Sequence, residues 1–317
     1  MNALIAMLMG IFTVVELNCE NLFDFRPDSL NPNKEWRSDS YRHWTPYRYW
    51  TKLTHISQEL IACGRYNGQY AIPDLIALAE VENDSVLFDL THRSILRKAR
   101  YEYVMTNSPD TRGINVALLY SPFAFKLLTH YGIRVTPLKN MKPTRDILYA
   151  KGLTIDLDTL HVFVVHAPSR SGGELETRPH RQHVAKRLLQ SVDSIQRLTP
   201  NARIIIAGDF NDTERDASIR LIVSHDLYDL SAKAKGCNGA KGTYRYHGLW
   251  QNLDHIFGTP YLHNHLREAR IGDFEFVLTP DETYGGVRPK RNYIGMKYQN
   301  GFSDHLPLIL HFDWPDP

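Results

Sequence analysis

Cysteine is scarce: three residues in 317, Cys19, Cys63 and Cys237, far apart and odd in number. That pattern excludes a disulfide framework and offers no zinc-ligand spacing, so three buried thiols are expected. An excess of one charge is also missing. The formal net charge is +2, too mild to imply polyanion binding, and any basic patch has to be local. Long apolar runs are absent as well. The best candidate, Ala3 to Val15, carries no Lys or Arg and is shorter than the roughly 20 residues of a membrane-spanning helix. A secretory signal wants a positive start and a small-residue cleavage site, whereas this run merges with what reads as the first strand. A cytoplasmic chain without stable membrane insertion is expected, with export the alternative if residues 1–11 are the remnant of a leader. No Gly-x-Ser-x-Gly elbow points to an acyl hydrolase, and no Gly-x-x-x-x-Gly-Lys-Ser/Thr loop to a nucleoside triphosphatase. Repeats, low-complexity tracts and long linkers are also lacking.

What is present is an ample core, with 43% hydrophobic and 23% charged residues, and a recurring pattern at the ends of apolar runs. Arg203–Ala207 reads as a strand buried on both faces that stops at Gly208 and is followed by Asp209 and Asn211. Side chains two apart on a strand point the same way, so Asp209 and Asn211 are expected on one side. Gly208, lacking a Cβ, allows a close approach to its backbone. Phe12–Leu17 ends likewise at Asn18, Leu75–Ala79 at Glu80 and His161–Val165 at His166. Asp254 lies in Asn-Leu-Asp-His-Ile-Phe, and Asp304-His305 precedes a strand predicted over Leu306–Phe312. Helices are predicted from the Thr45-Pro46 cap onwards, over Asp84 to Arg100, and over Arg181 to Leu198. Because the polar residues run from position 18 to position 305, a shared site requires both ends of the chain in one domain, 1–317.

An acid beside a carboxamide at the rim of a buried sheet is costly unless something nearby uses both. Carboxylate oxygens suit a hard cation such as Mg²⁺ or Mn²⁺. Phosphate-ester hydrolysis needs a positioned water, a base for its proton, and positive charge against the developing oxyanion. A histidine held by a carboxylate is oriented and stays basic near neutral pH.

Six short motifs, Asn18, Pro73–Glu80, His166-Ala-Pro-Ser169, Gly208-Asp-Phe-Asn211, Leu253-Asp-His255 and Ser303-Asp-His305, occur in one order across nearly the whole chain. In this the sequence resembles the endonuclease/exonuclease/phosphatase superfamily, whose members are DNase I-like. The resemblance implies an α/β (α+β) four-layer sandwich, with two mixed β-sheets packed face to face and helices outside. It also implies a Mg²⁺- or Mn²⁺-dependent phosphodiesterase, most simply a nuclease acting on DNA or RNA. A small phosphoester such as a sugar phosphate, an inositol phosphate or a phospholipid headgroup is the alternative substrate, and a non-catalytic binding protein on the same fold a further one. Glu80 is implied as the principal metal ligand, helped by Asn18 and Asp304. Asp209 and Asn211 would orient the water and hold a phosphate oxygen. His305, paired with Asp254, would be the general base or a phosphate ligand, and His166 would face the leaving group or a non-bridging oxygen. One departure is Ala79, where many members carry Gln. A monomer is expected.

Substrate contacts are less sharply marked. Trp36 to Lys52 interleaves basic and aromatic residues, either a phosphate-gripping, base-stacking surface or the core face of the first helix with solvated charges. Arg112, Arg170 and Arg288, the last in Arg288-Pro-Lys-Arg291, are placed to meet flanking phosphates. His263-Asn-His265 has the spacing of a metal clip but lacks a third ligand and reads as a surface loop.

Overall fold

The β-branched apolar runs become strands, and a computed structural model describes them over residues 9–26 and 34–315. In chain order the principal strands are β1 (Met9–Leu22), β2 (Leu75–Val81), β3 (Glu102–Met105), β4 (Asn115–Tyr120), β5 (Phe125–Ile133) and β6 (Ile147–Thr154). They are followed by β7 (Thr159–His166), β8 (Arg203–Asp209), β9 (Tyr228–Asp229), β10 (Asp254–Gly258), β11 (Leu266–Ile271) and β12 (Leu308–Pro315). One sheet has the order β11-β12-β1-β2-β4-β3 and the other β9-β10-β8-β7-β6-β5. Both are mixed: β1 runs parallel to β2 and antiparallel to β12, and β8 runs parallel to β7 and antiparallel to β10.

Alternation along β1 shows how the layers form. Phe12 and Val14 join β2, β4, β7 and β8 residues in a core between the sheets, while Val15, Leu17 and Cys19 face the other way. There they meet Tyr49, Leu53, Ile56 and Leu60 of α1 (Pro46–Cys63). Phe163, Val165, Ile204 and Ile206 of the second sheet meet Val184, Leu188 and Val192 of a long helix. The result is the four-layer sandwich with helices outside. No helix among the described residues is long and apolar enough to cross a membrane.

Several local expectations change. The segment Asp84–Arg100 is not one helix: α2 (Asp84–Phe88) passes into a π-helical turn at Asp89–Arg93 and a 3₁₀ turn at Ile95–Ala99. Ser94 breaks the run, adopting an extended backbone and capping Leu96 through its hydroxyl. The helix predicted from Arg181 is α3 (Glu174–Leu198), and it continues through Pro179 within its first turns. The last strand begins at Leu308 rather than Leu306. Cys19 and Cys63 are buried, but Cys237 is exposed. A fourth helix, α4 (Ala217–Val223), follows β8, and His263 and His265 end α5 (Pro260–His265).

The aromatic and basic stretch before and within α1 is divided: Trp36, Trp44, Tyr49 and Lys52 are buried in the core, while Tyr41 and Tyr47 are exposed. Trp36 stacks on Phe23 at 5.0 Å and Trp44 donates its indole N–H to the Phe23 carbonyl at 2.9 Å. Lys52 is fully buried, contrary to the solvated charge expected, and its ammonium bonds the Phe302 carbonyl. His55 Nδ1 lies 2.8 Å from the Gly301 carbonyl, so α1 anchors the loop leading to Asp304 and His305.

Glu59, also on α1, is fully buried and neither carboxylate oxygen has a hydrogen-bond partner. Burial pushes its pKa up to about 8, against a smaller pull from Lys52. An acid whose folded pKa is raised supports stability below its unfolded value near 4.5, and that support fades as pH climbs through about 8. Glu59→Gln should therefore flatten the loss of stability between those pH values. The variant is expected to exceed wild type by on the order of 1–3 kcal/mol at the alkaline end. Parallel urea melts across that range check it; identical pH slopes in the two proteins would contradict it.

Candidate active site

Register builds the site. Because β7 and β10 both flank β8, residues His166, Asp209 and Asp254 stand in one row across three strands. Gly208 makes the row possible. Its φ is +154°, and a Cβ there would lie 1.9 Å from the Val165 carbonyl oxygen, so any side chain would push β7 and β8 apart. Asn211 does not continue the strand as expected. It turns back at φ +52°, where its backbone N–H donates to Asp209 Oδ1 at 2.8 Å and its amide to the Ala167 carbonyl at 3.2 Å.

The first sheet contributes through irregularities. β1 and β2 shift register between Asn18 and Leu22, and β2 and β4 between Ala79 and Val81. Glu80 sits in the second break at φ +62°, with Glu20 and Asn21 at positive φ in the first. Left-handed backbone is uncommon for such residues and clusters where side chains must be re-aimed. Glu80 is thereby held on both oxygens, by the Asn21 N–H at 2.8 Å and by Arg112 at 3.0 Å.

These groups converge. Asp209 Oδ2 accepts from the Asn18 amide at 3.0 Å and lies 3.5 Å from His166 Nε2 and 4.0 Å from His305 Nε2. His166 Nε2 is also 4.0 Å from Glu80 Oε1. Asp254 lies behind, accepting from His305 Nδ1 at 2.7 Å. Asp304 bonds Arg291 at 2.6 Å. A pocket of about 570 Å³ is lined by Asn18, Glu80, His166, Asp209, Asn211, Asp304 and His305, with Arg112, Arg170 and Tyr244 at its walls. Arg288 is not among its lining residues. It stands on a short hairpin strand, Val287–Pro289, and of the two arginines in Arg288–Arg291 it is Arg291 that bonds a pocket residue, Asp304.

Electrostatics separates the two histidines. Burial suppresses the charge of His166, and Arg145 and Arg112 reinforce this, holding it neutral well below the ordinary imidazole range. Burial acts against His305 too, but Asp254, bonded to it, and then Asp209 and Asp304 hold it well above that range. Asp209 is pushed up to about 7 by burial and by Asp254. Glu20 rises to about 7 through burial and Asp304.

The acids around the pocket, Glu16, Glu20, Glu80, Asp209, Asp254 and Asp304, outnumber the arginines Arg112 and Arg291 that pair with them. Such an oxygen-rich, under-neutralised set fits a hard divalent cation. Glu80 and Asp304, with Asn18, would hold it. Asp209, Asp254 and His305 also offer ligand atoms within 4.8 Å of one another, but Asp254 and His305 already engage each other by a short hydrogen bond, which favours their role as a dyad.

A family model described as "Endonuclease/Exonuclease/phosphatase family" matches residues 13–313. The chain belongs to the endonuclease/exonuclease/phosphatase family. It is a hydrolase of phosphoester bonds, and its sandwich is that of solved members at low identity. The mannosyl-6-phosphatase Bt3783 of Bacteroides thetaiotaomicron is 17% identical, with a TM-score of 0.63 over 94% of this chain and 98% of that one. A truncated TDP2 of Caenorhabditis elegans is 17% identical, with a TM-score of 0.59 over 96% and 97%. The human Nocturnin catalytic domain, solved with a bound sulfate anion, is 18% identical, with a TM-score of 0.58 over 96% of both chains. No curated protein sequence matches significantly.

Supporting residues of this family member lay outside the sequence reading. Arg145 is buried, donating to the carbonyls of His166 at 3.1 Å and Ala167 at 2.6 Å and to Asp110 at 3.0 Å. Glu16 lies two residues before Asn18, fully buried with both oxygens unpartnered. Glu20, two residues after Asn18, accepts from the Asn292 and Tyr293 N–H groups. A period of two in charged residues within an apolar strand was the available signal for both glutamates. Tyr244, whose ring lies 4.8 Å from that of His305, carried none.

Proposed function

We propose that the chain is a divalent-cation-dependent phosphodiesterase acting on DNA or RNA by in-line attack of water. The observation that carries this reading is the convergence of Asn18, His166 and His305 on one carboxylate oxygen of Asp209, with Glu80 beside them. A bound cation would supply charge against the developing oxyanion. Asp209, oriented by Asn18 and Asn211, takes the proton of the attacking water. His305 is held by Asp254 through Nδ1, so its Nε2–H is free to grip a phosphate oxygen. Neutral His166 donates or accepts on the opposite wall.

A compact phosphoester is the second reading, favoured by the pairing of the rim cations. Arg112 bonds Glu80 at 3.0 Å, Arg170 bonds Asp216 at 2.9 Å and Arg291 bonds Asp304 at 2.6 Å. A surface that tracks several phosphates keeps its cations available, and its affinity falls steeply with salt. The test is turnover on single- and double-stranded DNA, RNA, sugar phosphates and sphingomyelin, with and without chelator. Expected are activity lost on chelation and restored by Mg²⁺ or Mn²⁺, and a steep salt slope for a nucleic-acid substrate. A shallow slope with preference for a small ester selects the second reading. Undiminished turnover in chelator refutes the cation dependence, and no turnover on any ester returns the chain to a binding role.

A further inference from the structure

The outer face of the second sheet should be apolar wherever a helix covers it, and over most of its length it is. Phe163, Val165, Ile204 and Ile206 pack on the Val184–Val192 stretch of α3. Towards the other end of the same strands the character switches. β5, β6 and β7 present Tyr131, Lys151 and His161, and α3 answers with Arg187, Ser191 and Ser194. Between them lies a pocket of about 680 Å³, larger than the catalytic one. This polar patch is open to solvent, with Tyr131 53% exposed and His161 alone of the six residues buried, so a dissolved ion can enter it.

The chemistry of the patch is cationic and donor-rich. Arg203 is balanced by Asp156 at 2.5 Å and Asp158 at 2.8 Å. Lys151 and Arg187 have no carboxylate partner among the described residues. Arg187 is merely steadied, through the Arg134 carbonyl at 3.2 Å and Ser191 Oγ at 3.4 Å. His161 is 8% exposed, its Nδ1 tied to the Tyr149 hydroxyl at 2.8 Å. Burial and Lys151 lower its pKa to about 4, so it is a neutral imidazole at physiological pH. With Nδ1 engaged, its Nε2 is left for the pocket.

We propose that this pocket is a second binding site, for a small phosphate-bearing anion held by Lys151, Arg187 and His161. It stands apart from the catalytic centre: Arg203 at its edge and Asp209 in the active site are at opposite ends of β8, roughly 20 Å apart at the strand rise. The proposal does not depend on which ester the active site cleaves.

The test follows the His161 ring resonances by NMR while inorganic phosphate, or separately a nucleoside 5′-monophosphate, is titrated into the whole protein. Saturable movement of His161 is expected at millimolar ligand or below. Tighter binding of the nucleotide than of phosphate would identify an organic monoester as the occupant, and equal binding the free anion. Lys151→Ala and Arg187→Ala should each weaken that binding at least about tenfold, the loss of one charge-assisted hydrogen bond, while leaving phosphoester turnover at the active site unchanged. No movement of His161 with either probe, or unaltered affinity in both variants, would overturn the assignment.

Discussion

Asp209→Ala and His305→Ala are each expected to lower turnover at least about a hundredfold, the scale of a lost acid–base group, with the fold intact. The reason is geometric. Asp209 Oδ2 is the atom on which the Asn18 amide, His166 Nε2 and His305 Nε2 close, at 3.0, 3.5 and 4.0 Å. No other described carboxylate has that company. Replacing His305 removes the cationic donor and leaves Asp254 buried without its partner, so this variant should also lose some stability. Asp209 is itself a buried acid crowded by Asp254, and its removal relieves repulsion. Asp209→Ala should therefore melt no lower than His305→Ala. Steady-state kinetics with bound-metal content measured alongside separates lost chemistry from lost cation. Near-normal rates in both variants would refute the mechanism.

Gly208→Ala is expected to destabilise the protein by roughly 3 kcal/mol and to remove most activity with it. The methyl would sit 1.9 Å from a backbone oxygen of β7, which has no rotamer by which to yield, and φ is +154°. Gly68 is the matched control: also at positive φ, +78°, but with nothing within 4 Å of an added Cβ. Gly68→Ala should cost only the backbone term, about 1 kcal/mol. Urea denaturation of the two variants decides. Equal destabilisation would show that the close approach of β7 and β8 does not matter.

Much of the site was legible because strand ends are readable. Apolar runs ending in Glu80, His166 and Asp209 mark where sheets stop, and an acid or imidazole there has to be used. The helix over Asp84–Arg100 was misread because periodicity does not register a capping serine such as Ser94, or the buried Asp89 that bonds Tyr49 at 2.8 Å and Arg93 at 3.0 Å. Lys52 was misplaced for a related reason. A lysine at helical spacing reads as solvated until a partner from position 302 supplies the carbonyl that lets it stay buried. Arg288 and Arg291 were indistinguishable in sequence, and only the hairpin's path brings the second to Asp304.

The order of apolar runs and polar stops, local in the chain, determined that two buried sheets exist and which acids, amides and histidines terminate their strands. Tertiary structure alone decided which of those groups meet. Parallel pairing of β7 with β8 and antiparallel pairing of β8 with β10 align His166, Asp209 and Asp254, and register is a property of neighbouring strands. The charge states followed from that packing too. His166 and His305 are the same residue type, yet burial, reinforced by Arg145 and Arg112, keeps one neutral, while the buried carboxylate of Asp254 favours the protonated form of the other.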